Sequence, residues 1–168
     1  VTTLFTHFKS KRDLSDAISD MILEAMALAF EENRGKRPFF DFMRKLTETA
    51  CREHLRRSEQ NLAMGRLFGA DEDFTASWMT YERRQIELLA SYIAIDFGLD
   101  LAVDYRPTLI ANMIVGGNIM VHQRWVDSEG ALDLTRESLA VLDAVETLVN
   151  RGLATPAEGR LPLRSEEI

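Results

Sequence analysis

Basic side chains are in short supply in this chain, where 20 Lys and Arg stand against 27 Asp and Glu, for a formal charge of −7. That balance excludes a protein that coats nucleic acid along its length, because most of its surface would repel phosphates. Cysteine is nearly missing. The single Cys51 cannot close an internal disulfide, so no disulfide framework holds the fold, and a reducing cytoplasm is the expected compartment. The four prolines leave long stretches free to be helical. Long apolar runs are missing too. The longest uncharged stretch, 107–123, contains Asn112, Asn118 and His122 and falls short of the ~20 apolar residues of a membrane span. It is expected to be a buried helix, and no membrane partner is expected.

The usual catalytic patterns are also lacking: a glycine-rich phosphate loop, a nucleophile elbow, a pair of metal ligands at helical spacing. Cys51 and His54 are i, i+3 neighbours, but a structural zinc site needs four ligands and no second pair is present. Cys51 therefore reads as a small buried residue and His54 as a surface histidine. The chain is not expected to be an enzyme, and no cofactor or metal is implied.

What is present is helical periodicity. Leu14, Ile18, Met21, Ile22, Ala25, Leu28 and Ala29 follow i, i+3, i+4, i+7 spacing and predict one apolar face on a helix from Lys11 to about Asn33, ended by Gly35 and Pro38. Pro38 opens a helix to about Arg57, with Phe39, Phe42, Leu46 and Ala50 on one face. A short helix over about Ser58–Phe68 follows. Asp71 or Asp73 caps a long helix to Phe97, which carries Trp78, Tyr81, Leu88, Leu89, Tyr92 and Ile93. Pro107 suits the first position of a helix to about Glu129. That helix is apolar nearly all round, and Gly116-Gly117 at its middle imply something packed against bare backbone. Asp133 caps a last helix, about Leu134–Arg151. The fold class is all-α.

The opening stretch, Val1–Leu14, is the exception to this generic pattern. Leu4, Phe5 and Phe8 fall on one side of a short helix, with Thr3, Thr6 and His7 on the other. Ser10 and Asp13 then form a capping-box start for the next helix. Lys11 and Arg12 lie in its first turn, where the helix dipole disfavours cations and an external anion would reward them. Residues 1–12 carry +3 and residues 13–168 carry −10, the pattern of a basic reading head on an acidic body.

Thr3-Leu4-Phe5, His7-Phe8 and Lys11, running on to Leu14, resemble the end of the helix-turn-helix in the TetR family of bacterial repressors. The resemblance implies that Thr3 and Thr6 face base edges or phosphates, that His7 contacts a phosphate and that Lys11 holds the DNA backbone, with Thr2 and Lys9 in the same DNA-facing set. That family usually has Tyr where this chain has Phe5, so one phosphate contact is lost. The resemblance further implies two helices upstream of Val1, a homodimer made through the last two helices, and a double-stranded DNA operator as partner. The resulting division is 1–14 as the remainder of a helix-turn-helix DNA-binding domain, 15–153 as a helical ligand-binding and dimerisation domain, and 154–168 as a flexible tail.

A small lipophilic or amphiphilic ligand is expected in the body, walled by Phe42, Leu46, Met64, Phe68, Trp78, Tyr81, Met113 and oriented by Asn112, Asn118 and His122. Met120 is a further wall candidate. Asn118, His122 and Trp125 share one helical face. Arg106-Pro107 and the Trp125–Leu139 region are similar to the acyl-coenzyme A-responsive subgroup of the family, and an antibiotic-type ligand stays equally open. The chain is thus read as a ligand-responsive, DNA-binding transcriptional repressor. The alternative is a helical small-molecule carrier or enzyme without DNA-binding activity.

Overall fold

The computed structural model describes residues 10–66 and 71–154, apart from the side chains of Lys11 and of residues 152–154. Among these residues there are six α-helices and no strand: α1 Lys11–Asn33, α2 Phe39–Leu55, α3 Ser58–Gly65, α4 Glu72–Asp96, α5 Arg106–Asp127 and α6 Leu134–Ala154. None of them is long and apolar enough to cross a membrane.

The helix boundaries follow local chemistry. Ser10 Oγ accepts from the Asp13 amide at 3.0 Å and starts α1. Asp71 caps α4 in the same way through the Phe74 amide at 3.0 Å, which settles the choice between Asp71 and Asp73. Gly35, Gly98 and Gly130 take positive φ values of 68°, 63° and 85° just past the ends of α1, α4 and α5, where a left-handed residue lets the chain turn away. Pro107 is the second residue of α5 rather than the first, since Arg106 already begins the helix. Helix α3 stops at Gly65, short of the expected Phe68, and α6 runs three residues beyond Arg151.

Helix α4 is the spine. It packs along α1 on one side and α5 on the other, and α6 closes against α5 and α2. The main core draws Phe39, Phe40, Phe42 and Met43 from α2, Leu89, Tyr92 and Ile93 from α4, Ile110, Ala111, Ile114 and Val115 from α5, and Leu142 and Val145 from α6. A smaller cluster gathers Cys51, Val121, Trp125, Val126 and Leu134. Cys51 is buried as expected.

Helix α1 differs from its reading in sequence. The expected face is largely uncovered: Met21 and Leu28 are 62% and 61% exposed, and Ile18 and Ile22 are also exposed. The buried residues are Leu23, Phe30 and Asn33, with Met26 and Ala29 partly covered. The helix is apolar over a broad arc: Met21 and Leu28 lie on its uncovered side, while Ile18 and Ile22 share with Met26 and Phe30 the side that faces α4. Periodicity registers both equally, because it records spacing and not what lies opposite.

The paired glycines also separate. A Cβ on Gly117 would lie 2.5 Å from Val141 Cγ1 of α6, so bare backbone is required there. A Cβ on Gly116 would meet nothing within 4 Å, and Gly116 opens to the exposed side of α5.

Candidate functional site

A cavity of about 370 Å³ lies beside the spine, with all five of the helices α1 to α5 in its wall. Helix α1 supplies Ser15, Ile18, Ser19 and Ile22; α2 supplies His54; α3 supplies Asn61, Met64 and Gly65. Helix α4 contributes Phe74, Trp78, Tyr81 and Gln85, and α5 contributes Asn118, Ile119, His122 and Gln123. The spacing explains how each helix reaches in: 74, 78, 81, 85 and 15, 18, 19, 22 are single faces of an α-helix.

Aromatic packing fixes the inner wall. Trp78 lies near-parallel to His122, with centroids 6.1 Å apart and 29° between planes, and continues to Tyr81 at 5.8 Å and Phe74 at 6.4 Å. His122 meets His54 edge-on at 5.1 Å, and the fully buried Trp125 ring supports both histidines from behind, at 5.2 Å from His54 and 5.6 Å from His122. Gly65 makes this arrangement possible, because a Cβ there would sit 2.5 Å from Val126 Cγ2 and 3.4 Å from His122 Cε1. Asn61 donates to the His54 carbonyl at 2.7 Å, which ties α3 to the end of α2.

Burial removes charge from this wall. Desolvation, reinforced by the neighbouring His122, lowers His54 from the ordinary 6.5 to about 4. Desolvation also lowers His122 and raises Tyr81, so all three side chains are neutral at pH 7. Among the described residues lining the cavity there is no Asp, Glu, Lys or Arg. Four side-chain polar atoms, His54 Nε2, Ser77 Oγ, Asn118 Oδ1 and Trp125 Nε1, are buried and have no hydrogen-bond partner among the described residues.

The low affinity of folded His54 for a proton has a thermodynamic consequence. Between pH 6.5 and about 4 the unfolded chain takes up a proton that the folded chain refuses. Stability is therefore highest above pH 6.5, falls as the pH drops through this window, and loses nothing further from this group below about 4. Urea unfolding followed across that window is expected to give a smaller slope of stability against pH for His54→Gln than for the unaltered protein. An unchanged slope would mean that folded His54 takes up its proton as freely as the unfolded residue does.

Of the ligand-wall candidates, Met64, Trp78, Tyr81, Asn118 and His122 come together in the cavity. Phe42 and Leu46 belong to the main core, where Phe42 touches Phe30 and Tyr92 at centroid distances of 5.8 and 5.9 Å. Asn112 is exposed and donates to its own helix at the Thr108 carbonyl, 2.7 Å away, while Met113 and Met120 face outward on α5. Phe68 lies outside the described residues, as do Thr2, Thr3, Thr6, His7 and Lys9; only the backbone of Lys11 is described. His54, read from sequence as a surface group, is a wall residue, because α3 and α5 fold over the end of α2. Ile18 and Ile22 were legible only as helix periodicity, and Ser15, Ser19 and Phe74 carried no signal at all. No family model, no curated protein and no solved structure matches this chain.

Proposed function

We propose that this chain is the ligand-responsive body of a dimeric TetR-type transcriptional repressor, with Val1–Leu14 as the end of its DNA-reading domain. The observation that carries this reading is the cavity wall contributed by α1, the helix that continues directly from the reading stretch. The two ends of α1 are held very differently. At its C-terminal end Phe30 stacks on Tyr92 at 4.6 Å, and Asn33 Nδ2 donates to Tyr92 Oη at 2.9 Å in a buried contact. Over its N-terminal half, Ser15, Ile18, Ser19 and Ile22 line the cavity, and a solvent-exposed ion pair, Asp20 with Arg84, links that half to α4. Exposed ion pairs contribute little.

A molecule entering the cavity would thus act on the weakly held half of a helix anchored at its far end. If it has unequal affinity for two tilts of α1, it shifts the population between them and changes the position of whatever precedes Ser10. In a dimer this changes the separation of two reading helices, which must match successive major grooves ~34–36 Å apart.

The second copy has a surface to meet. Leu109, Met113, Gly116 and Met120 lie along the exposed side of α5 at helical spacing, and Ala140, Ala144 and Leu148 form an exposed line on α6. An uncovered apolar stripe of this length suits a helix-to-helix interface between copies.

The test is a gel shift of the intact protein on DNA from its own promoter. A retarded band is expected, with an affinity that falls steeply with salt. Lys11→Ala is expected to weaken binding on all sequences and to reduce the slope of log affinity against log salt by about 1. Met120→Glu is expected to leave a folded monomer by sedimentation and to abolish the shift. Ligand binding with no shift on any promoter fragment would replace this reading by that of a small-molecule carrier.

A further inference from the structure

Two of the three histidines in the chain meet in the cavity wall. His122 of α5 lies edge-on to His54 of α2 at 5.1 Å and near-parallel to Trp78 of α4 at 6.1 Å. Histidine is the side chain that changes charge closest to neutral pH, so this pair is where an uncharged cavity can acquire a charge. The groups facing the pair offer that charge no counter-ion. Among the described lining residues, α1 and α3 bring no titratable side chain, α4 brings the Tyr81 phenol and α5 brings His122 itself. The ion pair between α1 and α4, Asp20 with Arg84, is exposed to solvent and neutral as a pair. An imidazolium at His122 would therefore draw its stabilisation from the face of Trp78 and from water in the cavity. Burial already holds both rings below the ordinary 6.5, and His122 pushes His54 lower still. A neutral apolar guest fills the space that the water needs, and so makes the charged form costlier again.

We propose that a guest in the cavity and a proton on His122 exclude one another, so that acid empties the site. This rests on the reading of the cavity as a ligand site and assigns its regulation. Linkage makes the exclusion reciprocal: the guest lowers the pH at which His122 charges, and the proton weakens the guest by the same factor. The sign follows from the direction of that change. Affinity is constant while His122 is neutral in both states, and falls by up to about tenfold per pH unit once the pH drops below the midpoint of the guest-free protein. His54, in ring contact, makes a second charge on the pair unfavourable, so one proton carries the effect. The ligand would then act on α1 at neutral pH and lose its hold on acidification.

The probe is N-phenyl-1-naphthylamine, a fluorophore that stays uncharged across the range tested, so a change in its binding comes from the protein. Fluorescence titration of the intact protein is expected to give a Kd about three- to tenfold larger at about pH 5.5 than at about pH 8. His122→Gln is expected to flatten that profile. Carbon NMR of the histidine Cε1 atoms adds a direct readout, since three histidines give three signals, assigned with His7→Gln and His54→Gln. Saturating probe is expected to move the His122 midpoint down by about half a pH unit or more, which the same linkage requires. A Kd that does not change with pH, an unmoved His122 midpoint, or a His122→Gln profile as steep as that of the unaltered protein would overturn the exclusion while leaving the cavity a ligand site. Failure of the probe to bind at either pH would overturn the cavity as a site for apolar guests, and the proposal with it. The NMR midpoints of the unaltered protein decide the matter even if His122→Gln folds poorly.

Discussion

Phe30→Ala is expected to lower the free energy of unfolding by about 3–5 kcal/mol, the largest loss from any single truncation in α1. Phe30 is 2% exposed, stacks on Tyr92 at 4.6 Å and meets Phe42 edge-on at 5.8 Å, so three helices converge on one ring. Removing it leaves a cavity that Tyr92 cannot fill, because Phe39 and the Asn33 hydrogen bond hold its ring, and Phe42 packs against that same ring. Leu28→Ala, two residues away and 61% exposed, supplies the control and is expected to cost less than about 0.5 kcal/mol. Urea denaturation of the two variants distinguishes the anchored stripe of α1 from the uncovered one. Comparable losses would mean that both stripes are packed and that α1 is not held from one side alone. Hydrogen exchange adds a second readout: in Phe30→Ala the amides of α1 should lose protection before those of α4.

Gly117→Ala is expected to destabilise the protein by about 1–3 kcal/mol, against the usual gain from replacing a helical glycine. The reason is the 2.5 Å approach of the added Cβ to Val141 Cγ1, which is a branched side chain with one favoured rotamer in a helix and cannot swing aside. Gly117→Ala combined with Val141→Ala relieves the contact, and the pair should therefore show favourable coupling of about 0.5–3 kcal/mol in a double-mutant cycle. Thermal or urea unfolding of the four proteins measures it. Simple additivity would show that α5 and α6 can separate at this point without cost.

These two results bear on the functional reading through the parts they probe. Phe30 ties the C-terminal end of α1 to α2 and α4, and the Gly117 approach brings α6 close against α5; the proposed function requires α1 to tilt relative to the α4, α5 and α6 body. Arg44 ties α2 to the same body, reaching Asp143 at 2.8 Å and Glu146 on α6.

Much of the secondary structure was legible in the chain. Ser10, Asp71, Gly35, Gly98 and Gly130 mark helix ends through backbone requirements that act within a few residues, so no tertiary information is needed to read them. The candidate site was legible in part. Trp78, Tyr81, Asn118 and His122 stood out as large or polar groups on otherwise apolar faces, and Met64 completed the wall. Phe42 and Leu46 looked the same in sequence, yet they are core, since an apolar side chain carries no mark of whether protein or open space lies opposite. His54 shows the converse. Nothing in Glu53-His54-Leu55 signals burial, and only the closure of α3 and α5 over the end of α2 withdraws it from water and drives its proton affinity down.

The sequence by itself determined an all-helical chain, the boundaries of most of its helices, the buried cysteine, and the sign and uneven distribution of charge. It did so because propensity, capping and charge are properties of neighbours along the chain. Tertiary structure alone decided which side of α1 is buried, which of two adjacent glycines is indispensable, and that a cavity whose described lining is uncharged lies under the N-terminal half of α1. Each of these depends on what sits across a helix interface, between residues as far apart as Ser15 and His122, and no local rule of spacing carries that information.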